Sequence, residues 1–514
     1  MNKRERKATF KANNPDQLSL LPPSLEELIE PNHVVRVVRE VIDNINIDSI
    51  IKKYKGGGAS SFHPKMMLKV LVYGYLCNIY SSRKIEQAVG SSIHFMWLAG
   101  MQRPDHNTIN RFRTDKLQGV LKEVFSQVVM LMSSQGMMDM KTVYVDGTKL
   151  EANANKYTFV WGKSTQRGKE RIKEQLEELW KYAESVAKEE LMDNVPTTFA
   201  ELDAAQVSQT IKSIDEALKD KPIDPKIRKK INYARRNWPN NMAKYKQQEQ
   251  VLGQRNSYSK TDPDATFMRM KDDHLGTGQL KAGYNLQIST SNQIIVNYDI
   301  FQNRSDIQTL PQHLDQYKHL YGYAPEVVVA DAGYGSEENY EYMEAQQIEG
   351  YVKYYQFHKE QKSEGKIPAA DVFATQHLYY NKEEDIVICP MGQKMTKRYE
   401  KCTSQSGFKQ VTSVYQAQNC QNCPVRGVCH KSNYNRTITI KHNLNKLRNK
   451  AKEKLLSSQG RAHCSQRPVD VEPVFGNIKQ NKKFTRFNLR GKDKVLIEAG
   501  LLAFAHNLAK LAKN

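Results

Sequence analysis

Two aspartates of this 514-residue chain stand where a carboxylate could do chemistry. Asp146 closes the β-branched and aromatic run Thr142-Val143-Tyr144-Val145 and precedes Gly147. Asp331 closes Glu326-Val327-Val328-Val329-Ala330 and precedes Ala332-Gly333-Tyr334. A carboxylate at the end of a buried strand has a fixed direction, and a glycine beside it lets a ligand approach the backbone. Two such ends in one sheet could share a divalent metal, to which hard oxygen ligands are suited. A third acid, Glu472, lies in Arg467-Pro468-Val469-Asp470-Val471-Glu472-Pro473, seven residues before Lys479. On a helix that spacing brings carboxylate and ammonium to within about 20° of one face. Asp470 is the rival third carboxylate; Glu472 is preferred because it keeps the spacing to Lys479. A residue before proline is disfavoured in the α region, so Glu472 is expected where its helix starts.

A second constellation is made of thiols. Cys420-x2-Cys423-x5-Cys429, with Cys389 upstream in Cys389-Pro390-Met391-Gly392, gives two knuckle-like pieces, the pattern of a structural zinc held by four thiolates. Cys402 and His430 are spare ligands, and reduced, unliganded cysteines are the alternative. The total of seven is odd and does not read as a disulfide framework.

The elements that must carry these residues can be read from periodicity. Residues 1–140 read as helical. Pro64 suits a first helical position ahead of Met67, Val70, Leu71 and Gly74; a shorter helix follows at Ser82–Val89; Asp105 can cap a segment through Arg113; and Leu117–Met132 is amphipathic. Helix, turn and polar helix is the outline of a helix-turn-helix, with Arg111 and Arg113 as its DNA-contact candidates. Strands are expected at 142–147, 284–289, 293–300, 326–331 and 350–355, with a helix over 307–321. A charged helical hairpin with breaks at Asn194-Val195-Pro196 and Lys221-Pro222 interrupts them; its alternating charge is that of a solvated face. Residues 356–462 read as turn-rich, and one or two helices close the chain over 473–512.

The 77 Lys and Arg outnumber 56 Asp and Glu, a net charge of +21, which calls for a polyanion, most commonly nucleic acid. The excess is uneven, because residues 441–514 hold 17 basic against 5 acidic residues, or +12. Lys479, Lys482, Lys483, Arg486 and Arg490 would hold phosphates near the acids, which would otherwise repel them. Met1–Phe10 is charged with no apolar segment after it, and the longest apolar stretch, Met66–Cys77, falls short of the ~20 residues of a bilayer span. A cytoplasmic protein is expected, with no membrane contact.

In sequence order, Pro104-Asp105-His106-Asn107-Thr108, Tyr144-Val145-Asp146-Gly147-Thr148, Thr261-Asp262-Pro263-Asp264-Ala265, Ala330-Asp331-Ala332-Gly333-Tyr334, Val471-Glu472-Pro473-Val474-Phe475-Gly476 and Ala505-His506-Asn507-Leu508 resemble the DDE transposases of bacterial insertion sequences. The likeness is to the subgroup with a helical start and a cysteine-bearing insertion before the last acid. The resemblance implies an α/β fold, with a ribonuclease H-like core interrupted by insertions and preceded by an all-α domain. It implies that Asp146, Asp331 and Glu472 bind two Mg2+ (or Mn2+) ions, that Lys479 is the family's downstream basic residue, and that Arg467 meets DNA backbone. The domains expected are 1–140, helical and DNA-binding or dimerising; 141–355, the first part of the core, with a helical insertion at about 164–260; 356–462, the cysteine-bearing insertion; and 463–514, the closing helices.

The function so implied is cutting DNA at terminal inverted repeats and joining it to target DNA, by a homodimer or larger assembly. The alternatives are a metal-dependent nuclease of the same fold that does not join, and a non-catalytic DNA-binding regulator. His506, in the closing helix, is expected to pack or hydrogen-bond rather than act as a base.

Overall fold

The computed structural model describes residues 24–54, 60–187, 199, 202–270, 278–362, 372–405 and 407–513. The N-terminal ten residues and the Asn194–Pro196 break lie outside them. From 24 to 134 the described residues form helices: Val34–Asn44 (α1), Asp48–Ile51 (α2), Pro64–Leu76 (α3), Ser82–Ser91 (α4), Ile93–Leu98 (α5), His106–Arg111 (α6) and Leu121–Ser134 (α7). Local chemistry sets their starts. Pro64 opens α3 with His63 accepting the Lys65 N–H, and Asp105 caps α6 by accepting the Thr108 N–H at 2.6 Å.

The chain is α/β. Thr142–Glu151 (β1) leads through Phe159–Trp161 (β2) into three helices, Gly162–Val186 (α8), Ala204–Ala217 (α9) and Pro225–Leu252 (α10), where the charge pattern had suggested a hairpin. Ser257–Ser259 (β3) returns beside β2, followed by Thr266–Arg269 (β4), Leu280–Ser291 (β5), Ile294–Phe301 (β6), Leu310–Tyr321 (α11), Val327–Ala330 (β7), Glu337–Ala345 (α12) and Glu349–Val352 (β8). The main sheet runs β4-β5-β1-β7-β8, with β6 sharing the outer edge of β5. Strands β1, β5 and β6 pair antiparallel, whereas β1, β7 and β8 are parallel.

After Phe357–Lys362 (α13) the chain forms a second sheet from Tyr379–Asn381 (β9), Ile386–Ile388 (β10), Lys394–Gln405 (β11), Phe408–Ala417 (β12) and Thr437–Ile440 (β13). This sheet stands where turns were expected. It closes on a small core of Val387, Met395, Tyr415 and Ile438. His442–Leu456 (α14), Ser458–Gly476 (α15) and Lys492–Leu511 (α16) complete the fold, so the closing helices begin earlier than position 473.

One apolar core joins the N-terminal helices, the main sheet and α16. Phe125 of α7 packs edge-on against Tyr298 of β6 and Phe504 of α16, at 5.2 and 5.4 Å between ring centres. The insertion α8–α10 buries its own cluster, including Leu176, Trp180, Ile211, Ile231 and Trp238. Among the described residues no helix is long and apolar enough to cross a membrane.

Candidate active site

Register places the two aspartates. In the parallel pair Val145 lies opposite Ala330, so the next residues, Asp146 and Asp331, are neighbours across β1 and β7. Asp331 leaves its strand there and caps the turn Ala332–Tyr334, accepting the Gly333 N–H at 2.8 Å. Asp146, expected at a strand end, is instead internal: β1 runs on to Glu151 because Gly147–Glu151 continue to pair with β5. It is 8% exposed and accepts the Gly147 N–H at 2.8 Å.

Arg467 of α15 closes over both acids. Its Nη2 lies 2.9 Å from Asp146 Oδ2 and 3.8 Å from Asp331 Oδ2. Arg467 was expected to meet DNA backbone; in this structure its guanidinium neutralises two adjacent carboxylates that would otherwise repel each other. Its Nε is buried without a hydrogen-bond partner, so the acids do not satisfy it fully.

A further acid at this place was not singled out from sequence. Asp306, on the 3-10 turn after β6, accepts the side-chain N–H groups of Asn285 and Gln287, both at 2.7 Å. A Cβ on Gly147 would fall 2.7 Å from Asp306 Oδ1 and against the Gln287 amide; one on Gly333 would fall 3.7 Å from Asp306 Oδ2 and 2.9 Å from Asp331 Oδ1. Only glycine leaves this room. The Tyr334 hydroxyl, fully buried, donates to Gln287; its pKa is pushed far above that of a free phenol, first by burial, then by Asp306, Asp146 and Asp331. A signal existed in Asn303-Arg304-Ser305-Asp306, an acid shortly after a strand of the same sheet, but it stands five residues beyond Phe301.

Glu472 does not start its helix. Helix α15 runs from Ser458 through Pro468 and Pro473 to Gly476, which leaves Glu472 exposed near its end. Five residues beyond Arg467, it points about 140° around the helix from the side chain that meets the acids. Among the described residues no three Asp, Glu, His or Cys side chains converge closely enough to form a metal-holding group. The rival Asp470 is committed to the scaffold: 1% exposed, it accepts the Thr290 hydroxyl at 2.6 Å and the Gln293 N–H at 3.2 Å.

The expected cations divide into two groups. Lys483, Arg486 and Arg490 are exposed, as is Arg111, while Lys479 lies half-buried on the π-turn after α15. Arg486 and Arg490 also donate to carbonyls of residues 152–154 and so hold the loop that leaves β1. The other two are buried. Arg113 is 3% exposed and donates to Tyr80 O at 2.8 Å and to the Tyr75 hydroxyl at 3.2 Å. Lys482, 5% exposed, donates to the Leu76 carbonyl at 3.3 Å, and burial holds its pKa down to about 8. It braces α3.

His506 is buried between the Gln293 carbonyl and the Asn477 amide, both at 2.8 Å, and burial lowers its pKa to about 4; it is a packing residue, as expected. Ser289, His313 and Asp299 are bonded in the order of a nucleophilic triad, at 2.7 and 2.5 Å, but Ser289 and His313 are completely buried and no substrate can reach them.

Cys389, Cys420, Cys423, Cys429 and His430 line one small cavity between the second sheet and the loop before β13. Cys389 and Cys420 sulfurs accept the backbone N–H groups of Gln393 and Arg436, at 3.2 and 3.4 Å, and Cys429 accepts Arg436 Nη1 at 2.8 Å. Both His430 ring nitrogens are buried and unpartnered. Cys402 is exposed on β11 and is not part of the cavity lining.

Two segments match known protein families. Residues 23–115 match a family described as Transposase domain (DUF772), and residues 388–512 match one described as Transposase DDE domain. No curated protein and no solved structure matches.

Proposed function

The chain is a transposase of the DDE, insertion-sequence type, and from that premise we propose that it binds the terminal inverted repeats of its element and catalyses metal-dependent strand cleavage and strand transfer at Asp146 and Asp331. DNA is its partner. The observation that carries the reading is the adjacent placement of Asp146 and Asp331 on parallel strands, with the Arg467 cation already against both. Three antiparallel strands continued by two parallel ones, with the first acid on the central strand, also support a ribonuclease H-like core.

The two carboxylates are donors of the kind a hard divalent ion takes, and a third has to be brought up to them, since among the described residues no three acids already converge. Asp146 and Asp331 offer carboxylate oxygens, Gly147 and Gly333 leave space beside them, and a guanidinium stands where a cation is wanted. Magnesium or manganese bound there would supply Lewis acidity for the attacking and leaving oxygens of an in-line displacement. The chain's own residues prepare that place. Asp146 and Asp331 are fixed by their adjacent N–H bonds, Asp306 adds negative charge through a carboxylate oriented by Asn285 and Gln287, and Arg467 neutralises the pair until DNA and metal arrive. Glu472 is the third acid by resemblance, and α15 carries it on the same helix as Arg467. Lys479, Lys483, Arg486 and Arg490 lie downstream to hold phosphates, and Arg111 contributes from α6.

A structural zinc held by Cys389, Cys420, Cys423 and Cys429 belongs to the same proposal: these thiols line one cavity with His430 and would have to draw together on the ion, since among the described residues no three of them already form a metal-holding group. The active form is a dimer or larger, since two element ends must be held together. Strand transfer with pre-cut ends tests the proposal: joined product supports it, cleavage without joining selects the nuclease alternative, and a chain that neither cleaves nor joins, yet binds DNA equally well as wild type and as Asp331→Asn, would select the non-catalytic regulator.

A further inference from the structure

The helical insertion carries a cationic stripe that the catalytic reading does not use. Over α8 the charges nearly cancel, with 6 basic and 5 acidic residues, as on an ordinary solvated helix. Over α10 they do not: 8 basic residues face a single acid, Glu249.

The excess is ordered in space. Ile231, Ala234, Trp238 and Met242 bury one side of α10 against α8 and α9. On the opposite side, within about 50° of a common direction at 100° per residue, lie Lys226, Lys229, Tyr233, Arg236, Asn240 and Lys244. All six are exposed, Tyr233 at 58%. The acid Glu249 is on the far side, engaged by Lys169 at 2.7 Å. Lys230 and Arg235, off the stripe, pair with Glu178 and Asp215 at 2.9 Å. None of the four stripe cations is paired with a described acid.

We propose that this face of α10 is a second DNA-contact surface, binding the backbone of the duplex beyond the cleavage site. This rests on DNA being the partner and is independent of which acids catalyse. From Lys226 to Lys244 the stripe is ~27 Å long, about eight base pairs of B-form duplex at 3.4 Å each. The lysines and Arg236 match phosphate in charge, and Tyr233 and Asn240 add hydrogen-bonding groups that side chains commonly offer to backbone oxygens. The support is stiff: the insertion has its own core, and its two ends leave the stalk β2–β3, where Gly162 N–H donates to the Asn256 carbonyl at 2.9 Å. That stalk continues from β1, the strand carrying Asp146.

The test uses the full chain, a 40-base-pair DNA duplex of arbitrary sequence, and fluorescence anisotropy over a series of salt concentrations. Replacing Lys229, Arg236 and Lys244 together by Gln removes three charges without touching the buried side. The expected result is at least a tenfold loss of affinity at low salt and a log–log salt slope shallower by about three. Thermal melting should be unchanged, so lost binding cannot be assigned to unfolding. An unchanged affinity and slope would overturn the inference while leaving the catalytic proposal standing. Preference of the wild-type chain for an RNA duplex of the same length would also overturn it. A wild-type chain that does not bind duplex DNA would overturn both.

Discussion

Arg467 Nη2 stands 2.9 Å from Asp146 Oδ2, with both side chains 12% exposed, and the same nitrogen reaches toward Asp331. A pair this enclosed is costly to break, because the partner left behind keeps its desolvation without compensation. Replacing Arg467 by Met should lower stability by about 2–4 kcal/mol without divalent metal. Millimolar Mg2+ should restore more of that loss than it adds to the wild type, since a bound cation replaces the missing charge. Urea unfolding with and without metal reads both terms; equal metal responses would show that Arg467 and the cation do not share a place.

Asp306→Asn keeps the shape of the side chain and removes its charge. If Asp306 helps hold the ion, Mn2+ affinity measured by electron paramagnetic resonance should fall roughly 10–100-fold. Glu472→Gln is the companion measurement, since Glu472 has the family spacing but stands exposed on α15. A larger affinity loss in Glu472→Gln than in Asp306→Asn would mean that α15 moves when metal and DNA bind.

Lys482 makes stability depend on alkaline pH. Burial holds its folded pKa at about 8, below the 10.5 of an ordinary lysine, so between these values the unfolded chain binds more protons than the folded one. The cost of burying the charge is full below pH 8 and fades as pH rises toward 10.5. Relative to Lys482→Met, the wild type should therefore gain up to about 3 kcal/mol across that window. Parallel denaturant titrations of the two proteins cancel the other titrating groups, and a constant difference would refute the assignment.

The thiols predict a metal content. The purified chain should carry about one zinc, and Cys423→Ser should lower it. Because Val387, Met395, Tyr415 and Ile438 form only a small core, chelation should open β9–β13 to protease before the main sheet. Equal protease sensitivity with and without chelator would argue for unliganded cysteines.

What was legible in the sequence follows from the range of each signal. Strand alternation and the strand–acid–glycine pattern are local, so β1, β5, β6 and β7 and the pair Asp146 and Asp331 were found. The second sheet was not, because its residues between 378 and 440 are short on apolar runs and its core is small. Long-range contacts were equally hidden: nothing near Arg113 announces Tyr75 and Tyr80, and nothing near Arg467 announces Asp146. Lys482 looked like its exposed neighbour Lys483, and only packing against α3 separates them. Proline rules placed Glu472 at a helix start, yet α15 continues through Pro468 and Pro473 while covering the main sheet.

The account turns on the Asp146 and Asp331 pair. The most direct measurement is Mg2+-dependent cleavage of a duplex carrying the element's terminal repeat by Asp331→Asn, beside binding of the same duplex. The account predicts that cleavage falls by about three orders of magnitude or more while binding stays within about twofold, because a loss of some 4 kcal/mol in transition-state stabilisation leaves ground-state phosphate contacts intact. Cleavage close to the wild-type rate, with DNA still bound, would contradict it.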